Sequence, residues 1–97
     1  MESWLRDIEG ARNEAEVVRH ARDYCALLHP RDLAPLETGI KHVRIESGAD
    51  IAATREKLAR GWAGVRAHAE ELQNLRDLMI VLSRAAERLA ELQATSR

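Results

Sequence analysis

Apolar residues along this chain recur every three or four positions over most of its length, which is the helical rhythm. In ESWLRDIEG (residues 2–10), Trp4, Leu5 and Ile8 fall on one helical face, and Gly10 closes the segment. A second helix begins at Asn13. Together with Glu16 it has the spacing in which cap and third residue each satisfy an orphan backbone donor. Its stripe of Val17, Val18, Ala21, Tyr24, Cys25 and Leu28 runs through His29. There Pro30 disfavours the α conformation and ends the helix.

Residues 29–39, HPRDLAPLETG, hold both prolines and read as a connector, with Leu33 and Leu36 as anchors onto a bundle. The period then changes. Val43 and Ile45 alternate with Arg44 and Glu46, so an extended connector is expected at about 40–46, with no second strand in the chain to pair with it. Ser47 and Asp50 repeat the capping spacing and open a long proline-free helical pattern. Its stripe passes through Ile51, Leu58, Trp62, Val65, Ala69, Leu72, Leu75, Leu78, Leu82 and Leu89.

Unbroken, that helix would exceed about 40 residues, long for a globular protein. Gly61 and Gly64 are unfavourable inside a helix. The stripe also changes phase between Leu72 and Leu75, and Asn74 with Asp77 has cap spacing. A break within 61–74 is therefore expected, folding the halves into an antiparallel pair. The expected fold is all-α: a small three- or four-helix up-and-down bundle, with residues 1–97 as one helical domain.

Residues 78–82, LMIVL, complicate a one-sided stripe. With Leu82 at the centre of the buried face, Val81 lies at its edge and Ile80 points about 160° away. Ile80's neighbours there are Gln73, Arg76, Asp77, Arg84 and Glu87. A single exposed apolar residue needs no explanation. Alternatively, Ile80 and Val81 form the centre of a contact patch rimmed by charge.

Composition favours the contact patch. The chain has 97 residues with no Phe, one Tyr and two Trp, and much of its apolar content is Ala, so its core is thin. Small chains of this kind commonly gain stability by association. In a two-fold pair, Val43 and Ile45 could meet their own copies antiparallel, covering an edge that is otherwise a liability. The expectation is a homodimer with Val43, Ile45, Ile80 and Val81 at its interface. It would act by binding other macromolecules, an unidentified protein partner among them, and not by catalysis.

A formal charge of −1 and a pI near 6.4 give no field steering the protein to nucleic acid or anionic lipid. The basic residues are nearly all Arg, the usual mark of a GC-rich, bacterial-type genome. A local basic patch from Lys41, His42, Arg44, Arg55, Lys57 and Arg60 is the nucleic-acid alternative. It is weakened by the interleaved Glu46, Asp50 and Glu56. Arg55 falls within the stripe of Ile51, Leu58 and Trp62. It should either snorkel to the edge or meet Asp23 or Asp32 across the bundle.

Candidate chemistry is sparse. Cys25 is the one cysteine, which excludes an internal disulfide and suits a reducing cytoplasm. MESWLRDIEG lacks the basic and apolar regions of a leader, and LMIVL is far short of a membrane span. His20 and His29 fall on opposite flanks of their helix. Cys25 with His29 would supply only two ligands where a structural zinc site takes four. No His follows a Glu by three residues, the spacing of helical di-iron sites. No phosphate loop or nucleophile elbow occurs. No catalytic residue, metal or cofactor is expected, and a small enzyme with a site invisible in sequence is the last alternative.

Overall fold

The computed structural model describes residues 1–28, 43–62 and 69–95, with side chains at 69–71 left aside. The 29–39 connector with Leu33 and Leu36, residues 40–42 and Asp32 lie outside the described residues. So do residues 63–68. Four helices are described: α1 (Glu2–Glu9), α2 (Glu14–Cys25), α3 (Gly48–Trp62) and α4 (Ala69–Thr95). The long helical pattern is thus two helices, the first described to Trp62 and the second from Ala69, in keeping with the expected break within 61–74. Asn74 and Asp77 sit inside α4, where Gln73 Nε2 donates to Asp77 Oδ1 at 2.9 Å.

α4 is the axis of the bundle. Its 27 residues amount to about 40 Å at 1.5 Å per residue, close to the 43 Å long dimension of the molecule. α1, α2 and α3 all pack against it, and α2 also touches α1 and α3, whereas α1 and α3 do not meet. The helices thus form a rhombus with α2 and α4 on its short diagonal. The core is aliphatic: Ile8, Val17, Ile51, Leu58, Leu75, Leu78 and Leu82 are fully buried, joined by Ile45 and Val81. Full burial of such a side chain stabilises by about 1.5–3 kcal/mol.

Local chemistry sets the helix starts. Asn13 Oδ1 accepts from the Glu16 backbone N–H at 2.9 Å, and Glu16 Oε2 accepts from Arg12 N–H at 2.7 Å. At α3, Asp50 Oδ2 accepts from the N–H groups of Glu46 and Ser47 at 2.8 and 3.0 Å. Ser47 Oγ accepts from Asp50 N–H at 3.4 Å. The end of α2 differs from expectation. The helix stops at Cys25, and Leu27 and Leu28 donate to the carbonyls three residues back, at 3.0 and 3.1 Å. The last turn tightens before Pro30 is reached, as helix C-termini commonly do.

Two expected interface residues are core residues instead. Ile45 is 2% exposed and packs inside its own chain. No strand occurs among the described residues. The Ile45 carbonyl accepts from Arg22 Nε at 2.7 Å, and the next two N–H groups are held by Asp50. Side chains of the same molecule thus satisfy this backbone, leaving those atoms no edge to offer a copy. Val81 is 0% exposed. It lies on the flank of α4 that faces α1, where Arg84 reaches Glu9 and Arg88 reaches Ala11. A third helix on α4 widens the buried arc beyond a single stripe.

The α1–α2 turn is pinned by α4. Arg88 donates from Nε and Nη2 to the Ala11 carbonyl at 3.2 and 2.8 Å. Arg88→Ala should lower unfolding free energy by about 1.5–3 kcal/mol, because a charged donor to that carbonyl is lost. Urea denaturation measures it. A midpoint unchanged from wild type would mean water replaces the guanidinium without loss.

Candidate functional site

Burial disposes of the sequence's most reactive side chains. Cys25 is buried, and desolvation pushes its thiol up to about 11. Burial also pushes the Tyr24 phenol up to about 12, with the nearby Asp77 charge and Cys25 adding to the shift. Tyr24 meets Trp4 edge-on at 5.6 Å and 75°, so both rings serve to join α1 to α2. A thiol near 11 is about one part in 10⁴ thiolate at neutral pH. Native protein should therefore resist labelling by an aromatic disulfide reagent and react fully in urea. Rapid native labelling would place Cys25 at the surface.

No group of three His, Cys, Asp or Glu side chains comes together to hold a metal among the described residues. His20 is half-buried, and His29, His42 and His68 lie outside the described residues. No described helix is long and apolar enough to cross a membrane.

Among the described residues the expected basic patch does not gather. Lys41 and His42 lie outside the described residues, and Arg44 is exposed beside the buried Ile45. Lys57 and Arg60 are exposed on the outer side of α3, about 140–160° from Arg55. Arg60 stands 4.0 Å from Glu56, both well exposed. Arg55 makes no ion pair with Asp23, and Asp32 lies outside the described residues. Arg55 is exposed, and its Nε donates to Ser83 Oγ on α4 at 2.9 Å. The buried stripe of α3 is centred towards Gly61, Leu58 and Ile51, so Arg55 sits at its border, about 75° off centre.

What the structure does assemble is an apolar groove. Ala59 and Trp62 of α3 face Arg76, Met79 and Ile80 of α4 across a hollow of about 420 Å³, open to solvent. Ile80 is 43% exposed, a large apolar side chain left uncovered in mid-helix. It is also the ridge between two grooves. On its other side Leu5 and Glu9 of α1 face Ile80, Ser83, Arg84 and Glu87 across about 330 Å³. Trp62, expected to be core, is half-buried and forms the groove wall.

The two flanks of α4 differ in charge. On the α1 side Arg84 pairs with Glu9, Glu87 and Glu91, and Arg88 pairs with Glu91. These contacts, the Arg88 hydrogen bond first, hold the Glu91 carboxyl below the ordinary glutamate range. On the α3 side, Arg55 and Arg76 make no ion pair with a carboxylate among the described residues. Reading the sequence alone identified Ile80 as outward-facing. It placed Arg76 beside Ile80 but missed Ala59 and Met79, since their meeting with that face depends on how α3 and α4 align. No family model, curated protein or solved structure matches the chain.

Proposed function

We propose that this chain is a non-catalytic interaction module that docks a protein partner along the α3/α4 groove, with Ile80 and Trp62 as its apolar contacts. The observation that carries this reading is Ile80 itself. It is 43% exposed and, within its charged rim, lines an apolar hollow together with Ala59, Trp62 and Met79. The free thiol of Cys25 suits a reducing compartment such as the cytoplasm.

A homodimer is the second arrangement this face supports. Ile45 and Val81 take no part in it, so Ile80 is what remains. Glu9, Arg84 and Glu87 beside it offer both signs of charge to a two-fold copy. Ile80→Asp tests both. Stability should stay within about 0.5 kcal/mol of wild type, as for most exposed positions. Association should weaken roughly 10- to 100-fold, matching about 1.5–3 kcal/mol for one buried Ile. Sedimentation reads the dimer, and affinity capture compared between wild type and Ile80→Asp reads a heterologous partner. If both are insensitive to the substitution, this face is not the contact.

A further inference from the structure

α3 and α4 run antiparallel in a regular register. Trp62 and Ala59 lie against Arg76 and Met79, Arg55 bonds to Ser83, and Gly48 comes up against Leu89. Beyond the Arg55–Ser83 bond the groove opens again. Ala49 and Ala52 face Ala86 and Ala90 across a second hollow of about 420 Å³. The two hollows lie in line along the α3/α4 seam, a trough about 20 Å long from Trp62 to Ala49 at 1.5 Å per residue, crossed midway by the Arg55–Ser83 bond. One end is an apolar pocket, the other is floored by small residues with Glu14 and Gln93 at its margin, and a guanidinium lies between.

Resting on the interaction reading above, we propose that the occupant of this trough is an acidic amphipathic helix of another protein, about four turns long. A bulky apolar side chain of that helix fills the pocket between Trp62, Met79 and Ile80. Carboxylates on its flank meet Arg55 and Arg76. The alanine-lined end lets its backbone come close.

The charge pattern selects this occupant. Arg84 and Arg88 are matched within the molecule, whereas Arg55 and Arg76 along the trough form no ion pair among the described residues. The acid at the far end, Glu14, already accepts from Gly48 N–H at 3.3 Å. A second copy laid trough to trough would set Arg55 and Arg76 against their own kind, and such juxtaposition costs affinity. A nucleic-acid backbone would neutralise the arginines yet leave the apolar pocket unfilled. A small ligand would remain largely in water, since the trough is open along its length, whereas ligand pockets enclose most of their occupant. Helix-in-groove docking uses this combination of an apolar floor and a charged edge.

The test is a display library of helices of about 18 residues, roughly 27 Å. Leu is fixed along one face, and the flanks are randomised among Glu, Gln and Lys. Selection on the intact protein should enrich Glu flanks, and a selected peptide should bind at least about tenfold more weakly in high salt. In a Trp4→Phe background its binding should shift Trp62 emission to the blue. The double variant Arg55→Glu, Arg76→Glu should reverse the selection to Lys. That gain of binding cannot arise from misfolding, and Ile80→Asp should abolish enrichment while its circular dichroism stays native.

Enrichment indifferent to flank charge, or of Lys flanks on the wild type, overturns the acidic helix and leaves the interaction reading standing. Loss of all enrichment overturns both. A wild-type dimer dissociated by Ile80→Asp makes a second copy the occupant. Salt-sensitive binding of a short DNA duplex through Arg55 and Arg76 transfers the trough to nucleic acid. Either of these outcomes overturns the proposal.

Discussion

Val81→Asp is expected to unfold the protein at neutral pH, whereas Ile80→Asp, one residue earlier, leaves it folded. Val81 is 0% exposed and Ile80 is 43% exposed. A lone carboxylate at position 81 would lose its water with no partner, at an effective penalty of several kcal/mol. The substitution also removes about 1.5–3 kcal/mol of apolar burial. A chain of 97 residues has only about 5–15 kcal/mol in total, so the two losses together consume most or all of it. Far-UV circular dichroism at 25 °C should show lost helicity for Val81→Asp and a native spectrum for Ile80→Asp. Val81→Ala should remain folded with a lower urea midpoint, separating the charge from the lost methyl groups. A cooperative fold within about 1 kcal/mol of wild type for Val81→Asp would mean that solvent reaches this residue and that α1 does not cover that flank of α4.

The neighbouring pair also shows where sequence pattern stops being informative. A helical wheel gives an angle, and the angle assigned to Ile80 held. It does not give the number of neighbours around the wheel. Because α1, α2 and α3 all pack on α4, the buried arc reaches Val81, which a single stripe places at the edge. Caps were legible because they are local: Asn13 with Glu16 and Ser47 with Asp50 each need only residues a turn apart. The alternation at Val43–Glu46 misled for the opposite reason. Period two reports side chains that alternate between core and solvent, and a pinned connector alternates just as a strand does. Ile45 turns in, Arg44 turns out, and no ladder follows among the described residues. The groove depended on the alignment of α3 with α4. With the break bounded only to 61–74, pattern could not set Ala59 and Trp62 against Arg76 and Met79.

Ile45→Ala carries the second large effect, and it discriminates between the clamped connector and a strand shared by two copies. Ile45 is 2% exposed, and truncating a buried Ile to Ala costs about 2–5 kcal/mol through lost transfer energy and the cavity left behind. Because the residue packs against its own chain, the loss should be the same at every protein concentration. A strand shared across a two-fold would instead give a loss that shrinks as concentration rises, by mass action. Val43 is half-buried, so Val43→Ala should cost less. The connector is held twice, by the Ile45 side chain in the core and by Arg22 Nε on the Ile45 carbonyl at 2.7 Å. Once Ile45→Ala has loosened the segment, Arg22→Ala has less to remove. The double variant should therefore be less destabilised than the sum of the single variants, by about 0.5 kcal/mol or more, as for residues in contact. Strict additivity in chemical denaturation, or a loss under about 1 kcal/mol for Ile45→Ala, would show that the two contacts do not hold the same segment.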